Sequence, residues 1–135
     1  MDGKGYLRTM AKIIKWYGKT EEEVKAMPMD EFMRLIPARS RRSLKRGLDD
    51  QKKRLIEKVD KDHKNIRTHN REMVIIPKMV GKTIKVYSGK EFLPVFVSVE
   101  MLGRRLGEFV MTRKPVTHGS AGLGATRSSK AVSAK

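Results

Sequence analysis

The sequence predicts an α+β fold: a small three-stranded sheet built on a β-hairpin, covered by short helices, with a basic extended C-terminal tail. Three observations lead there. Thr83 to Tyr87 alternates polar and apolar residues, and Phe92 to Val97 is almost wholly β-branched or aromatic, with Ser88-Gly89 as turn residues between them. Helix-start signals stand at Thr20, Asp30 and Asp49-Asp50. After Glu108 the chain contains no acid and, beyond Phe109, no aromatic, which is the composition of a tail with no core to build.

The hairpin carries its own register argument. A two-residue loop at Ser88-Gly89 would set Val86 opposite Glu91 on the buried face. A four-residue loop, Ser88 to Glu91, pairs Val86 with Leu93 and Ile84 with Val95, and Tyr87 with Phe92 on the other face. The second register keeps one face wholly apolar and is the one expected. Pro94 cannot donate to a ladder, so the 92–97 strand belongs at an edge and the 83–87 strand at the centre. An isolated hairpin is marginal in water, so other elements must cover its apolar face.

The covering elements follow in chain order. Up to about Ile36 the charges nearly balance. Thr20 and Glu23 have capping-box spacing and predict a short helix that Pro28 ends. Asp30 is placed to cap a second short helix carrying Phe32, Leu35 and Ile36 on one face. Trp16 and Tyr17 beside Lys15 and Lys19 suit either stacking on a base or anchoring the N-terminal arm to protein. From Arg39 to Arg46 the chain has five cations and no acid, and Gly47 ends the run. Asp49 and Asp50 suit the start of a helix running to about Lys61, with Leu55, Ile56 and Val59 inward and a mixed, solvated outer face on which Lys52 and Lys53 are candidate phosphate contacts. Ile66 to Ile76, closed by Pro77, reads as a strand pairing with the hairpin. Beyond the hairpin, Leu102, Leu106 and Phe109 fall on one helical face, although Gly103 and Gly107 imply a bend or a close backbone approach to a partner.

The bulk properties narrow the function. A length of 135 residues suggests one domain with tails: an N-terminal helical extension over 1–37, an α+β RNA-binding core over 38–112 and a basic flexible tail over 113–135. The formal net charge of +16 favours polyanions, with nucleic acid ahead of an anionic membrane surface. In the 39–46 run no counter-charge is interleaved, so an external phosphate is expected to relieve the repulsion. For the tail, threading along RNA and simple flexibility both stay open. No apolar run approaches the ~20 residues of a membrane span, no signal-peptide core is present, and a cytoplasmic protein without membrane partners is expected.

Catalytic chemistry is not expected. There is no cysteine, and His63, His69 and His118 lack metal-ligand spacing, so no metal and no cofactor are anticipated and each histidine is read as hydrogen-bonding or stacking. Gly81-Lys82-Thr83 ends like a phosphate-binding loop, but Ile76 stands where its first glycine is needed. The glycines of 119–124 have the wrong spacing for a dinucleotide site. No nucleophile motif is present. The chain is not expected to be an enzyme.

Several motifs together carry a family resemblance. Ser88-Gly89-Lys90, Val97, Leu102-Gly103-Arg104-Arg105-Leu106-Gly107-Glu108-Phe109 and Thr112 resemble the signature of the ribosomal small-subunit protein nineteen family. Arg42 to Gly47, Ile66-Arg67-Thr68, Pro77 to Gly81 and Pro94-Val95 are similar to it as well. Pro37-Ala38-Arg39 and Gly122 to Ser129 resemble its archaeal and eukaryotic branch, and the likeness runs from about Met29 to Ser129. One departure is Arg104, where many bacterial members have a histidine. The resemblance implies a structural protein of the small-subunit head, bound to the three-prime major domain of the rRNA. It also implies small-subunit protein thirteen as a neighbour and a C-terminal tail reaching toward the decoding region, near tRNA. By carry-over, Arg42, Lys45, Arg46, Arg67, Arg71, Lys90, Arg105, Arg113 and His118 are the expected RNA contacts. Arg39 and Arg41 join them from the charge run, and Gly119 and Arg127 from the tail. A free regulatory or architectural nucleic-acid binder is the competing expectation, and a protein–protein adaptor is a third.

Overall fold

The computed structural model describes residues 13–116. Four helices come first: α1 (Glu21–Ala26), α2 (Met29–Leu35), α3 (Ala38–Lys45) and α4 (Asp50–Asp60). They are followed by β1 (Ile66–Thr68), β2 (Thr83–Tyr87) and β3 (Phe92–Phe96), with 3₁₀ turns at Pro77–Met79, Val99–Met101 and Leu106–Phe109. The fold is α+β. The strands form one sheet in the order β1-β2-β3, parallel between β1 and β2 and antiparallel in the hairpin.

The hairpin adopts the four-residue loop. Val86 faces Leu93, Ile84 faces Val95 and Tyr87 faces Phe92. The Ser88 N–H donates to the Glu91 carbonyl at 2.8 Å, and Gly89 takes a positive φ of 100° within the loop. Ile84 and Val86 are fully buried, and they pack in one core with Ile66, Leu55, Val59 and Leu106. Burial of each such side chain is worth roughly 1.5–3 kcal/mol, so the sheet's inner face is what α4 and the long connections are drawn to cover. Pro94 lies on the edge strand and β2 lies at the centre, as its missing donor requires.

The helices bear out their signals with one shift. The Glu23 carboxylate accepts the Thr20 N–H at 2.7 Å and starts α1. α2 begins after Pro28 rather than at Asp30, which instead sits in the first turn, where a carboxylate favours the positive end of the helix dipole. Phe32 is buried from that helix and stacks, tilted, 5.6 Å from Trp16. Trp16 is therefore an anchor to protein, while the neighbouring Tyr17 stays exposed. α4 starts at Asp49-Asp50 and buries Leu55 and Val59. Its C-terminal end is closed by Lys82, whose ammonium donates to the Val59 carbonyl and pairs with Asp62 at 3.0 Å.

Two expectations need correction. The strand expected over 66–76 stops at Thr68. The Thr68 hydroxyl accepts the Asn70 N–H at 3.0 Å, and the Arg71 N–H reaches back to the His69 carbonyl at 2.9 Å, which turns the chain off the sheet. Met73 to Ile76 is still buried, but its backbone pairs elsewhere. Leu106 N–H donates to Met73 O at 3.0 Å, Ile75 N–H to Arg104 O at 2.8 Å and Gly103 N–H to Ile75 O at 3.1 Å. The helical face expected over 99–109 is likewise two short 3₁₀ turns separated at Gly103. Leu102 and Leu106 nevertheless reach the core, and Phe109 packs against it half-buried.

Gly103 explains the break. Its φ of +77° belongs to the left-handed region, and a Cβ there would lie 2.8 Å from the Ile36 Cγ2. The close approach, expected toward a partner, is instead made within the chain, because Ile36 packs directly on the Gly103 backbone. Gly103→Ala should lower stability by on the order of 2 kcal/mol, through backbone strain and overpacking together. Urea unfolding measures it; an unchanged midpoint would mean that Ile36 yields without cost.

Candidate nucleic-acid interface

The 39–46 cation run forms α3, a helix that contributes almost nothing to the core. Ser40 is its only buried residue, and Leu44 packs at the rim. Spacing of three and four residues brings Ala38, Arg41, Arg42, Lys45 and Arg46 to the walls of one shallow groove of about 450 Å³. Arg42, Lys45 and Arg46 of the groove and Arg39 outside it are exposed, with no acid in the helix to offset their mutual repulsion. What holds the helix is a set of hydrogen bonds to other segments. The Ser40 hydroxyl donates to the Gly103 carbonyl at 2.8 Å. Arg41 donates through Nε to Met33 O at 2.7 Å and through Nη2 to Arg34 O and Ile36 O at 3.1 and 3.0 Å, closing the open carbonyls at the end of α2.

Arg71 is turned inward in the same manner. Its Nη1 donates to Tyr87 O at 2.7 Å, and its Nη2 donates to Gly107 O at 2.8 Å and to Val110 O. Its own carbonyl accepts the Gly107 N–H at 2.8 Å. A Cβ on Gly107 would fall 2.9 Å from the Arg71 Cβ, so only glycine admits this approach. Of the residues singled out from the sequence, Arg41 and Arg71 therefore occupy their guanidinium groups with this chain's backbone.

The others point outward from separate elements. Arg67 leaves the outer face of β1 with its guanidinium carbon 5.6 Å from the Phe92 ring centroid. Lys90 is exposed on the hairpin loop. Arg105 is half-exposed, its N–H accepted by the Glu108 carboxylate at 3.3 Å. Arg113 is exposed at the end of the described chain, while His118, Gly119 and Arg127 lie outside the described residues. The structure thus gathers Arg39, Arg42, Lys45 and Arg46 on one helix and distributes Arg67, Lys90, Arg105 and Arg113 over the sheet edge, the hairpin tip and the C-terminal segment.

Further surface cations were not singled out from the sequence. Lys85 faces outward beside Arg67 in the sheet, and the hairpin register alone placed it on that face. Arg54 and Lys58 stand one turn apart on α4 and line a groove with Arg67, although their mixed-charge helix reads as merely solvated. Every ion pair among the described residues is made by a lysine: Lys19–Glu31, Lys25–Glu21, Lys53–Asp50, Lys78–Asp60 and Lys82–Asp62. No arginine has a carboxylate within ion-pair distance among those residues. A surface of rigidly mounted, acid-free guanidinium groups suits phosphate, which they can engage bidentately. No group of three or more His, Cys, Asp or Glu side chains gathers among the described residues to hold a metal. No helix among them is long and apolar enough to cross a membrane.

Comparison with known families gives a match to the model for ribosomal protein S19 over residues 42–118, more than half of the chain. The match begins within α3 and takes in the whole sheet and the Gly103–Phe109 segment.

Arg71→Lys should destabilise the fold by about 2–3 kcal/mol, because the single nitrogen of an ammonium cannot reach the Tyr87 carbonyl and the Gly107 and Val110 carbonyls together, as the two Nη atoms of the guanidinium do. Thermal unfolding of the isolated protein reads this directly. Stability equal to the parent would show that water replaces the guanidinium at those carbonyls.

Proposed function

Since the chain belongs to the ribosomal protein S19 family, we propose that it binds the rRNA of the small-subunit head, in the three-prime major domain, through the acid-free arginine surface described above. Membership of the family makes it a structural, non-enzymatic component of the small ribosomal subunit that binds rRNA and serves translation. The head domain is what the family resemblance implies, and the proposed mode of binding rests on one observation. The exposed cations are carried by short, cross-linked elements, so their spacing is set before RNA arrives. Cations on a rigid frame recognise one folded RNA surface by shape and phosphate placement, without reading sequence.

In this reading Arg39, Arg42, Lys45 and Arg46 form the main phosphate face, and Arg67, Lys90, Arg105 and Arg113 extend it along the molecule. His118, Gly119 and Arg127 continue it into the tail, which reaches toward the decoding region and tRNA. Arg41 and Arg71 act from behind, by holding that face in place. Small-subunit protein thirteen is the neighbour that the family resemblance proposes.

A gel-shift titration tests the reading. Binding to head-domain rRNA should be tight and should weaken steeply as salt rises, and equal affinity for scrambled RNA or duplex DNA would favour a free architectural binder instead. Replacing Arg42 and Arg46 together by alanine should weaken rRNA binding at every sequence. It should also reduce the slope of log affinity against log salt by about 1.5–2, as loss of two phosphate contacts requires, with thermal stability unchanged. An unaltered slope would remove α3 from the interface.

A further inference from the structure

Strand alternation sends Tyr87 and Phe92, an opposed pair, to the outer face of the sheet rather than into the core. His69 joins them from the end of β1. The ring centroids are 4.5 Å apart for His69 and Tyr87, 5.1 Å for His69 and Phe92 and 5.1 Å for Tyr87 and Phe92. His69 is exposed and the other two are half-buried, so the cluster presents ring surface at the molecular boundary. A groove of about 380 Å³ opens beside it, between α4 and β1. That volume lies at the lower end of the range of sites that hold small ligands.

The chemistry of the groove walls is specific. His69 and Phe92 supply aromatic surface, Gln51 and Asn70 supply side-chain amides, and Arg54, Lys58 and Arg67 supply positive charge. No carboxylate lines it. An amide offers both donors and an acceptor, which is what the Watson–Crick edge of an unpaired base requires. Three cations around an aromatic seat suit a phosphate backbone running past a stacked base, and Arg67 already lies over the Phe92 ring. A paired helix would keep its base faces covered and could use only the cations.

We propose that this groove receives a single unpaired RNA nucleotide. Its base stacks on the His69 and Phe92 rings that Tyr87 supports from behind, its edge faces the Gln51 and Asn70 amides, and its flanking phosphates meet Arg54, Lys58 and Arg67. The inference rests on the rRNA-binding reading and adds to it a contact made by stacking, which releases no counterions.

The full-length protein, titrated with deproteinised small-subunit rRNA and crosslinked to it by ultraviolet light, tests the site. His69→Ala combined with Phe92→Leu should weaken rRNA binding on the order of tenfold, the loss expected for one stacked base, and leave the salt slope unchanged. Mass spectrometry of the crosslinked parent should find a nucleotide on His69, Tyr87 or Phe92, a readout that does not depend on how the variant folds. Gln51→Glu, on an exposed position, should also weaken binding by placing a carboxylate at the groove. Parent-like affinity in the double variant, with crosslinks confined to other segments, would overturn the nucleotide site and leave the arginine surface intact. A double variant that binds free rRNA normally but is lost from assembled subunits would make this a protein contact and overturn the site equally. Absence of salt-sensitive rRNA binding by the parent protein would sink the underlying reading itself.

Discussion

The C-terminal segment is fastened to the sheet through the Arg71 guanidinium. Its contacts join the end of β2, at Tyr87, to Gly107 and Val110 in the C-terminal segment. Those segments are far apart in sequence and only short stretches of regular structure lie between them. The Gly107 and Val110 carbonyls stand where a 3₁₀ turn ends and the Tyr87 carbonyl where β2 ends, positions at which regular pairing stops and another donor is needed. A planar, rigid fork with donors on three nitrogens serves such separated acceptors with little loss of side-chain freedom. Gly107 completes the arrangement by letting the two backbones approach closely enough for its N–H to reach the Arg71 carbonyl.

A second fastening links this frame to the basic helix. Gly103 packs on Ile36, and its carbonyl accepts the Ser40 hydroxyl. Arg41 meanwhile closes the end of α2. The helix with the densest positive charge is thus positioned by the same C-terminal segment that Arg71 secures. A helix with so little apolar surface could not dock by hydrophobic burial alone, and directional bonds replace it. The position of α3 relative to the sheet is consequently a property of the fold rather than of bound RNA.

Much of the frame was legible in the sequence. The hairpin register followed because only one alignment kept Ile84, Val86, Leu93 and Val95 together, and a one-residue slip would have exposed them all. α1 and α4 followed from local capping chemistry. The extent of β1 did not follow, since Met73 to Ile76 has the composition of a buried strand and nothing local says that its partner is the 103–106 segment. The 99–109 turns were missed for a related reason: the break depends on Gly103 being pressed against Ile36, a contact distant in sequence. Charge density singled out the α3 cations, but it could not say that Arg41 and Arg71 turn to backbone carbonyls while Arg42 and Arg67 face outward. A residue letter carries charge, and the direction of a guanidinium is decided by which carbonyls the fold leaves open.

The choice of carbonyls as partners for the buried-side arginines has an electrostatic consequence. Had Arg41 and Arg71 been held by aspartate or glutamate, each would have cancelled its own charge in securing the fold. A carbonyl dipole orients a cation without neutralising it, so both still add to the field outside the molecule. The groups that make the scaffold rigid therefore also raise the rate at which a polyanion is captured, through long-range attraction that operates before any contact forms. Structural and steering roles reside in the same two side chains, and a small protein with little core gains both from them.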